Sequence, residues 1–295
     1  MACGNSFFGG GESLCALDTP AKIRERVFFM ELPDIRLVAS DMDGTLLNSR
    51  AELPPDFFDI FSRMRRHGVA FAAASGRQIH NMKIKFGNAA DEIYFAAENG
   101  AYVLKGEREM LSLELSRGDI RAFLEIARKI EGAYIVLSGK KFAYIENPDP
   151  IFLARLSSYS GFLKPVADIS RIDDDIFYKF TICDLINPRT NALPRFEHLK
   201  GDFQIKVSGL KWMDITHKLA DKGYALKMIQ EELGVSIGQT AAFGDYLNDI
   251  ELLKRAKYSF AMANALDEIK RIARYQTYSY NECGVTRALD KLIGK

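Results

Sequence analysis

The chain contains few cysteines and has no excess of charge of either sign. Four cysteines occur among its 295 residues. None of them are paired at metal-site spacing, so a disulfide framework is not indicated and a reducing cytoplasm is expected. The formal net charge is +1, from 40 basic and 39 acidic residues. This balance gives no reason to expect nucleic acid or an anionic membrane surface as a partner.

Long apolar runs are also missing from the sequence. No run is long enough to span a bilayer. The N-terminus lacks the basic region and apolar core of a secretory signal, so we expect no membrane association. Hydrophobic residues nevertheless make up 47% of the chain. This content can bury a sizeable core, in one large domain or two ordinary ones.

The first residues do not share the pattern of the rest. Residues 1–29 contain the loop-like stretch "FFGGGES" and no clean periodicity, whereas Met30 looks like the natural start of a compact domain. We expect residues 1–33 to form a flexible extension and residues 1–29 to be dispensable. Whether residues 1–29 belong to the natural protein is left open by the sequence.

Apolar strands alternate with amphipathic helices in most of the chain. The runs "IRLVAS", "VAFAAAS" and "EIYFAA" are typical of buried strands, and "PPDFFDIFSRMRRHG" has helical spacing. This alternation predicts an α/β fold with a doubly wound parallel sheet, built from residues 34–104 and 205–295. Between them, residues 105–204 contain neighbouring strands joined by short turns, which predicts an inserted α+β domain with an antiparallel sheet.

Polar clusters follow the predicted strands of the parallel sheet. Asp41 and Asp43 come after the first strand, Ser75 after the second, and "GDYLND", Gly244 to Asp249, after a late strand. Lys222 opens a helix in the returning part of the pattern. Ligands of doubly wound sheets lie outside the carboxyl ends of the strands, so we expect these clusters to converge.

The acidic residues of these clusters indicate a metal. Asp41, Asp43, Asp245 and Asp249 in one crevice would repel one another unless a cation offset their charge. Oxygen ligands favour a hard ion such as magnesium, which usually shares its shell with substrate phosphate. A carboxylate beside magnesium and phosphorus can act as a nucleophile, and its neighbour can move protons.

Three further residues fit a phosphate ligand. Ser75 can donate its hydroxyl to a phosphate oxygen, and Gly44 permits a turn that exposes backbone N–H groups. Asp221 is a good helix N-cap, which makes Lys222 the first helical residue. A cation there opposes the helix dipole, and an anion in front of it would explain this placement.

Each of these features has an ordinary structural alternative. The Asp-Gly pair could be a turn, Ser75 a helix N-cap, and Asp249 a first-turn carboxylate. The order of all four clusters favours the functional interpretation, because chance matches rarely combine in the predicted context.

The four clusters also resemble a known family. "DMDGTLL", "ASGR", "DKGYAL" and "GDYLND" are similar to the four motifs of the haloacid dehalogenase superfamily. "ENGA", "AMANALDEIKRIA" and "NECGVTRAL" resemble its Cof-type phosphatase branch. The resemblance runs from about Ile35 to the end of the chain. It implies a Rossmann-like core with an inserted α+β cap domain, residues 105–204.

The resemblance also implies roles for individual residues. Asp41 would be the nucleophile and Asp43 the acid/base. Mg²⁺ would be held by the Asp41 carboxylate, the Asp43 backbone carbonyl and Asp245, and Asp249 would support the metal shell. The residues implied in phosphate binding are Ser75, Lys222 and Asn248, with Gly44 in the turn.

One stretch departs from the family pattern. "HKLADKG" has His217 and Leu219 where the family often has proline and glycine before its lysine. This leaves a second lysine, Lys218, nearby. The fit of "KGYAL" to a helix start makes Lys222 the better choice.

We therefore expect a magnesium-dependent phosphatase of small phosphorylated metabolites, such as sugar phosphates, that forms an aspartyl-phosphate. A phosphomutase or phosphotransferase on the same fold is the alternative among enzymes. A non-catalytic regulator that binds a phosphorylated metabolite is the alternative outside them. The sequence does not identify the substrate, the cap residues that select it, or the oligomeric state.

Overall fold

The structure, a computed structural model, describes residues 34–156 and 161–293. The extension expected at residues 1–33 lies outside this part of the chain. The described strands form two sheets, of eight and six strands. No helix in the described ranges is long and apolar enough to cross a membrane.

The strands, in chain order, are β1 (Leu37–Asp41), β2 (Ala70–Ala74), β3 (Tyr94–Ala97), β4 (Tyr102–Lys105), β5 (Arg108–Ser112), β6 (Ala133–Gly139), β7 (Ala143–Ile145), β8 (Leu163–Pro165), β9 (Phe177–Asp184), β10 (Phe203–Val207), β11 (Trp212–His217), β12 (Thr240–Gly244), β13 (Tyr258–Ala261) and β14 (Tyr275–Gln276).

The α-helices, in chain order, are α1 (Phe57–Arg66), α2 (Ile79–Phe86), α3 (Arg117–Ala127), α4 (Pro150–Leu153), α5 (Leu193–Phe196), α6 (Lys222–Leu233), α7 (Ile250–Lys254), α8 (Asp267–Ile272) and α9 (Gly284–Ile293).

The larger sheet has the strand order β14-β13-β12-β1-β2-β3-β4-β5. Neighbours from β14 to β3 are parallel, whereas β4 and β5 are added antiparallel at one edge. Every residue of β1 is buried, as expected for a parallel sheet with helices on both faces. The predicted Rossmann-like parallel core is therefore confirmed.

Helix α1 shows how the sequence covers this sheet. Phe57, Ile60, Phe61 and Met64 recur at helical spacing and are buried. The ring of Phe57 lies 5.4 Å from that of Phe71 in β2, in an edge-to-face contact. This contact fixes α1 against the sheet that carries Asp41.

The smaller sheet has the order β10-β11-β9-β6-β7-β8 and is antiparallel except between β7 and β8. Its two faces bury different clusters. Ile135 and Leu137 of β6 pack with α3 on one face, whereas Val136 packs with Phe152 of α4 on the other. The α4 face also turns towards the cleft described below.

The chain does not pass from one sheet to the other at residues 105 and 204, where the change of sequence pattern lies. β5 pairs with β4 in the larger sheet, and β10 and β11 belong to the smaller one. The change of pattern near residue 105 marks a change from parallel to antiparallel pairing within one sheet. We propose that the cap begins near Glu114, since Leu113 still bonds to the core and Leu115 to β9, and that it ends after β11.

We predict that Phe123→Ala loosens the smaller sheet alone. Phe123 is 1% exposed, and its ring lies 5.5 Å from that of Phe180 and 4.9 Å from that of Phe203. The cavity should cost about 3–5 kcal/mol. Amide hydrogen exchange should accelerate in β6 and β9, while β1 and β12 keep their protection.

Phe58→Ala is the matched control, because Phe58 is 46% exposed on α1. It should change the stability by less than about 1 kcal/mol. Equal acceleration of exchange in β1 and in β9 of the Phe123 variant would contradict the proposed division into core and cap.

Candidate active site

Three neighbouring strands of the larger sheet bring predicted site residues to one edge. β1 lies between β2 and β12 and is parallel to both. Asp41 is the last residue of β1, Ser75 follows β2, and Asp245 follows β12. Since parallel strands end at the same edge of a sheet, these residues face a common crevice.

Lys222 joins two of the aspartates inside the protein. Its Nζ lies 2.5 Å from Asp41 Oδ1 and 2.7 Å from Asp249 Oδ1. Asp221 is the N-cap of α6 and accepts a hydrogen bond from the Tyr224 N–H at 2.8 Å. The helix therefore begins at Lys222, as predicted, and this start places the ammonium beneath the end of β1.

Burial and the neighbouring charges act in opposite directions on the pKa of Lys222. Burial alone would lower the pKa of Lys222, but attraction to Asp249 and Asp41 outweighs it and raises the pKa. Burial raises the pKa of Asp41, as does repulsion from Asp249 and Asp245, although Lys222 opposes this. One lysine is thus surrounded by more carboxylate charge than it can neutralise.

Asp245 is the third carboxylate of the cluster. Burial, together with the neighbouring Asp249, raises the pKa of Asp245 to about 6, against a hydrogen bond from Thr45. Thr45 Oγ1 donates to Asp245 Oδ1 at 2.9 Å. One oxygen from each of Asp41, Asp245 and Asp249 lies within 4.8 Å of the others. This spacing is compatible with a divalent cation.

Gly44 lies in the turn after β1 and against Asp245. Its φ of +82° is left-handed, and a Cβ there would lie 2.5 Å from Asp245 Oδ2. Both the turn and the close approach therefore require glycine.

Asp249 has both of its oxygens occupied by protein groups. Oδ1 accepts from Lys222, and Oδ2 accepts the backbone N–H groups of Asp245 and Tyr246 at 2.9 and 3.1 Å. These contacts hold the turn after β12 in place. They fit a residue that supports a metal site better than one that binds the ion directly.

Asp43 lies in a different environment from Asp41. Its side chain is 52% exposed and paired with Arg77. Arg77 Nε donates to Asp43 Oδ2 at 2.7 Å and Nη2 to Oδ1 at 2.5 Å. The hydrogen bonds to Asp43 raise the pKa of Arg77. This bidentate pair holds the second aspartate at the mouth of the crevice.

Ser75 and Asn248 also line this crevice. Ser75 Oγ accepts the Arg77 N–H at 3.1 Å, which leaves its hydroxyl hydrogen free to donate. The alternative that Ser75 caps a helix is wrong, because α2 begins only at Ile79, after Gln78. Asn248 Nδ2 donates to Asn99 Oδ1 at 3.2 Å.

A cleft of about 580 Å³ separates this edge from the smaller sheet. Asp41, Asp43 and Asn248 line its core side. Lys179 of β9 crosses to the core, where its Nζ lies 2.7 Å from Glu98 and 2.5 Å from the Gly76 carbonyl oxygen. The residues that line the cap side are Arg155, Lys179, Thr181, Ser208, Gly209, Leu210, Trp212 and Asp214.

Sequence reasoning missed several of these groups. Arg77 was not predicted as a site residue, although it lies in "ASGR". Its position two residues after Ser75 is the sequence signal that it could reach the same crevice. Thr45, in "DGTLL", was likewise not predicted as a site residue. Asp214 and Thr181 reach the cleft through strand pairing, for which the sequence gives no local signal.

A Rossmann-like parallel sheet with an acidic cluster at its carboxyl edge and a second sheet across the cleft is an arrangement that suits a hydrolase. The chain belongs to the haloacid dehalogenase-like hydrolases, whose family model matches residues 38–289. Relatives of this family carry the names of phosphatases, and the chain is a phosphoric monoester hydrolase of this family.

Two relatives and one solved structure illustrate the similarity. The 5-amino-6-(5-phospho-D-ribitylamino)uracil phosphatase YbjI of Escherichia coli K12 is 30% identical over 264 residues, covering 88% of this chain and 96% of the relative. The HMP-PP phosphatase of Escherichia fergusonii is 27% identical over 243 residues, covering 80% and 86%. The crystal structure of SMU.1108c from Streptococcus mutans UA159 has a TM-score of 0.80 and 29% identity, covering 87% and 98%.

We predict that Lys222→Met strongly destabilises the fold. The substitution removes the cation from between Asp41 and Asp249, whose side chains are 7% and 0% exposed. Leaving buried carboxylates without a partner should cost about 3–5 kcal/mol. Urea unfolding in EDTA measures this loss without an added cation that could replace the ammonium.

Lys218→Met is the matched control, since Lys218 is exposed in the same connection between β11 and α6. It should unfold with the wild-type midpoint. An unchanged midpoint for the Lys222 variant would contradict the account of a lysine that holds the carboxylates together.

Proposed function

We propose that the chain hydrolyses small phosphorylated metabolites in the presence of magnesium, through an aspartyl-phosphate on Asp41. The observation that carries the proposal is the cluster of Asp41, Asp245 and Asp249, in which one buried lysine pairs with Asp41 and Asp249. Such a cluster has an excess of negative charge, and Asp41 and Asp245 line a cleft large enough for a small metabolite.

The chemistry of the donors fits magnesium. Carboxylate oxygens are the ligands that this ion prefers, and it commonly binds through one or two of them. Asp41 and Asp245 would hold the ion with the Asp43 backbone carbonyl, because Asp249 is already occupied by Lys222 and two backbone N–H groups. Bound magnesium would offset the carboxylate charge and polarise the phosphoryl group.

In the proposed reaction, Asp41 attacks phosphorus. Its carboxylate oxygen would form the new P–O bond while the bond from phosphorus to the ester oxygen breaks. Asp43 would give its proton to the leaving oxygen, then take one from the water that releases phosphate from Asp41. Arg77 must release at least one Asp43 oxygen for this transfer, because both are hydrogen-bonded to the guanidinium.

The phosphate oxygens would be bound by groups that still have unused hydrogen-bond donors. Lys222 uses two of its three N–H donors on Asp41 and Asp249. The Ser75 hydroxyl and the Asn248 amide complete the set. As Asp41 becomes an acyl phosphate it loses its own charge, and Lys222 would then pair with the phosphoryl group.

The relatives support a small-metabolite substrate. One is named for a phosphorylated ribitylaminouracil and another for HMP-PP. The different substrates in these names support a proposal in which the core binds the phosphoryl group and other residues select the rest.

We predict that the purified chain releases phosphate from p-nitrophenyl phosphate and from members of a phosphorylated-metabolite panel when magnesium is present. Removal of magnesium with EDTA should abolish release, and adding it back should restore it. Asp41→Asn should lower kcat by at least about 10⁴-fold, because an amide is a poor nucleophile.

Asp59→Asn, an equal change of charge at an exposed position on α1, is the control and should keep full activity. Near-normal release by a well-folded Asp41 variant would refute the proposed nucleophile. Full activity after verified removal of metal would refute the dependence on magnesium. Transfer of phosphate to an added sugar hydroxyl in place of water would indicate a phosphotransferase.

A further inference from the structure

The pairing of β9 with β11 arranges the cap side of the cleft in successive pairs. Lys179 lies opposite Thr216, Thr181 opposite Asp214, and Cys183 opposite Trp212. Lys179 is bound to the core through Glu98 and the Gly76 carbonyl. The next pair outward, Thr181 and Asp214, is two residues or about 7 Å further along the strands. It is therefore the first part of the cap sheet that a leaving group meets.

A chain of hydrogen bonds also connects Asp214 to two residues proposed to bind phosphate. Asp214 Oδ2 lies 3.4 Å from Asn99 Nδ2. The backbone N–H of Asn99 donates to the Ser75 carbonyl at 2.9 Å, and its Oδ1 accepts from Asn248. One residue, Asn99, thus stands between Asp214 and the two groups proposed to bind phosphate.

The hydrogen bond between Thr181 and Asp214 determines whether this pair can offer donors or acceptors to a ligand. Thr181 Oγ1 donates to Asp214 Oδ1 at 2.7 Å, so its hydroxyl has only acceptor positions left. A carboxylate accepts about four hydrogen bonds, and the hydrogen-bond partners of Asp214, Thr181 and Asn99, are both neutral. Asp214 is 7% exposed and lines the cleft. The pair of Thr181 and Asp214 therefore offers acceptors and negative charge, whereas Lys179 on the same wall is paired with Glu98.

We propose that Asp214, with Thr181, selects the leaving group by accepting hydrogen bonds from hydroxyl or amino groups close to the ester oxygen. The substrates are then phosphate monoesters of polyols or amino-polyols. A carboxylate or a second phosphate at this position is disfavoured by repulsion. This inference rests on the proposed phosphatase function and adds the chemistry of the leaving group to it.

Three esters of similar size test the inference on the unaltered chain. Glycerol 3-phosphate carries hydroxyl donors, propyl phosphate carries none, and 3-phosphoglycerate replaces the terminal hydroxymethyl with a carboxylate. We expect kcat/KM for glycerol 3-phosphate to exceed that for propyl phosphate by about 10- to 100-fold, as for loss of a hydrogen bond to a charged group. It should also exceed that for 3-phosphoglycerate, whose carboxylate Asp214 repels. Equal rates for the three esters would overturn the inference.

Asp214→Asn tests the residue itself. The amide keeps the size of the side chain but removes the charge and turns a donor towards the cleft. Its kcat/KM for glycerol 3-phosphate should fall by about 10- to 100-fold, and by less for p-nitrophenyl phosphate, which has no hydroxyl donor. The preference for glycerol 3-phosphate over 3-phosphoglycerate should shrink accordingly.

Asp202→Asn is the matched control, because Asp202 is an exposed carboxylate of the cap that does not line the cleft. It should keep the wild-type ranking of substrates. Circular dichroism and thermal unfolding report whether each variant folds. If Asp214→Asn does not fold, Thr181→Val tests the pair instead, since it removes the hydroxyl bonded to Asp214 at nearly constant volume. It should lower kcat/KM for glycerol 3-phosphate relative to p-nitrophenyl phosphate, and an unchanged ratio would refute the role of the pair.

The outcomes separate this inference from the function on which it rests. No release of phosphate from any ester, p-nitrophenyl phosphate included, would refute the proposed function. Normal release with an unchanged ranking in a folded Asp214 variant would refute only the selection by Asp214. An equal loss on all esters would also refute it, by assigning Asp214 a structural role.

Discussion

The ammonium of Lys222 lies between the buried carboxylates of Asp41 and Asp249, at 2.5 and 2.7 Å, and the rest of the site depends on this contact. An unpaired charge at this depth would be costly, so the end of β1, the start of α6 and the turn after β12 are held together. Gly223 makes the contact possible, because a Cβ there would lie 2.5 Å from the Glu251 carbonyl oxygen. Any larger residue would push α6, and its lysine, away from the carboxylates.

Asp41, at the end of β1, and Asp43, in the turn that follows, lie in different surroundings. Asp41 is buried beside Lys222, whereas Asp43, two residues later, is half exposed and paired with Arg77. Carboxyl groups in environments this different can serve different chemical purposes. The buried one is held in place by Lys222, which suits the proposed nucleophile. The exposed one lies at the mouth of the crevice, which suits the proposed proton transfer to a leaving group, provided that its pair with Arg77 opens.

Local signals in the sequence predicted much of the core, because strand ends and helix starts are local features. The apolar run before Asp41 and the N-cap at Asp221 were enough to place Lys222 near the first strand. The sheet to which β5 or β10 belongs could not be read from the sequence, since it depends on strands distant in sequence. The same is true of Asp214, whose position in the cleft follows from its register opposite Thr181. The residues proposed to bind phosphate thus lie in short motifs, whereas those proposed to bind the leaving group are brought to the cleft by strand pairing.

The central claim is that Asp41 becomes phosphorylated during turnover. Rapid acid quench of the chain with substrate and magnesium, followed by borohydride reduction and peptide mass spectrometry, tests it most directly. Reduction of an acyl phosphate converts the aspartate to homoserine. The account predicts homoserine at position 41 alone, only in samples quenched during turnover. Release of phosphate at a normal rate with unmodified Asp41 at every time, or with homoserine at another aspartate, would contradict it.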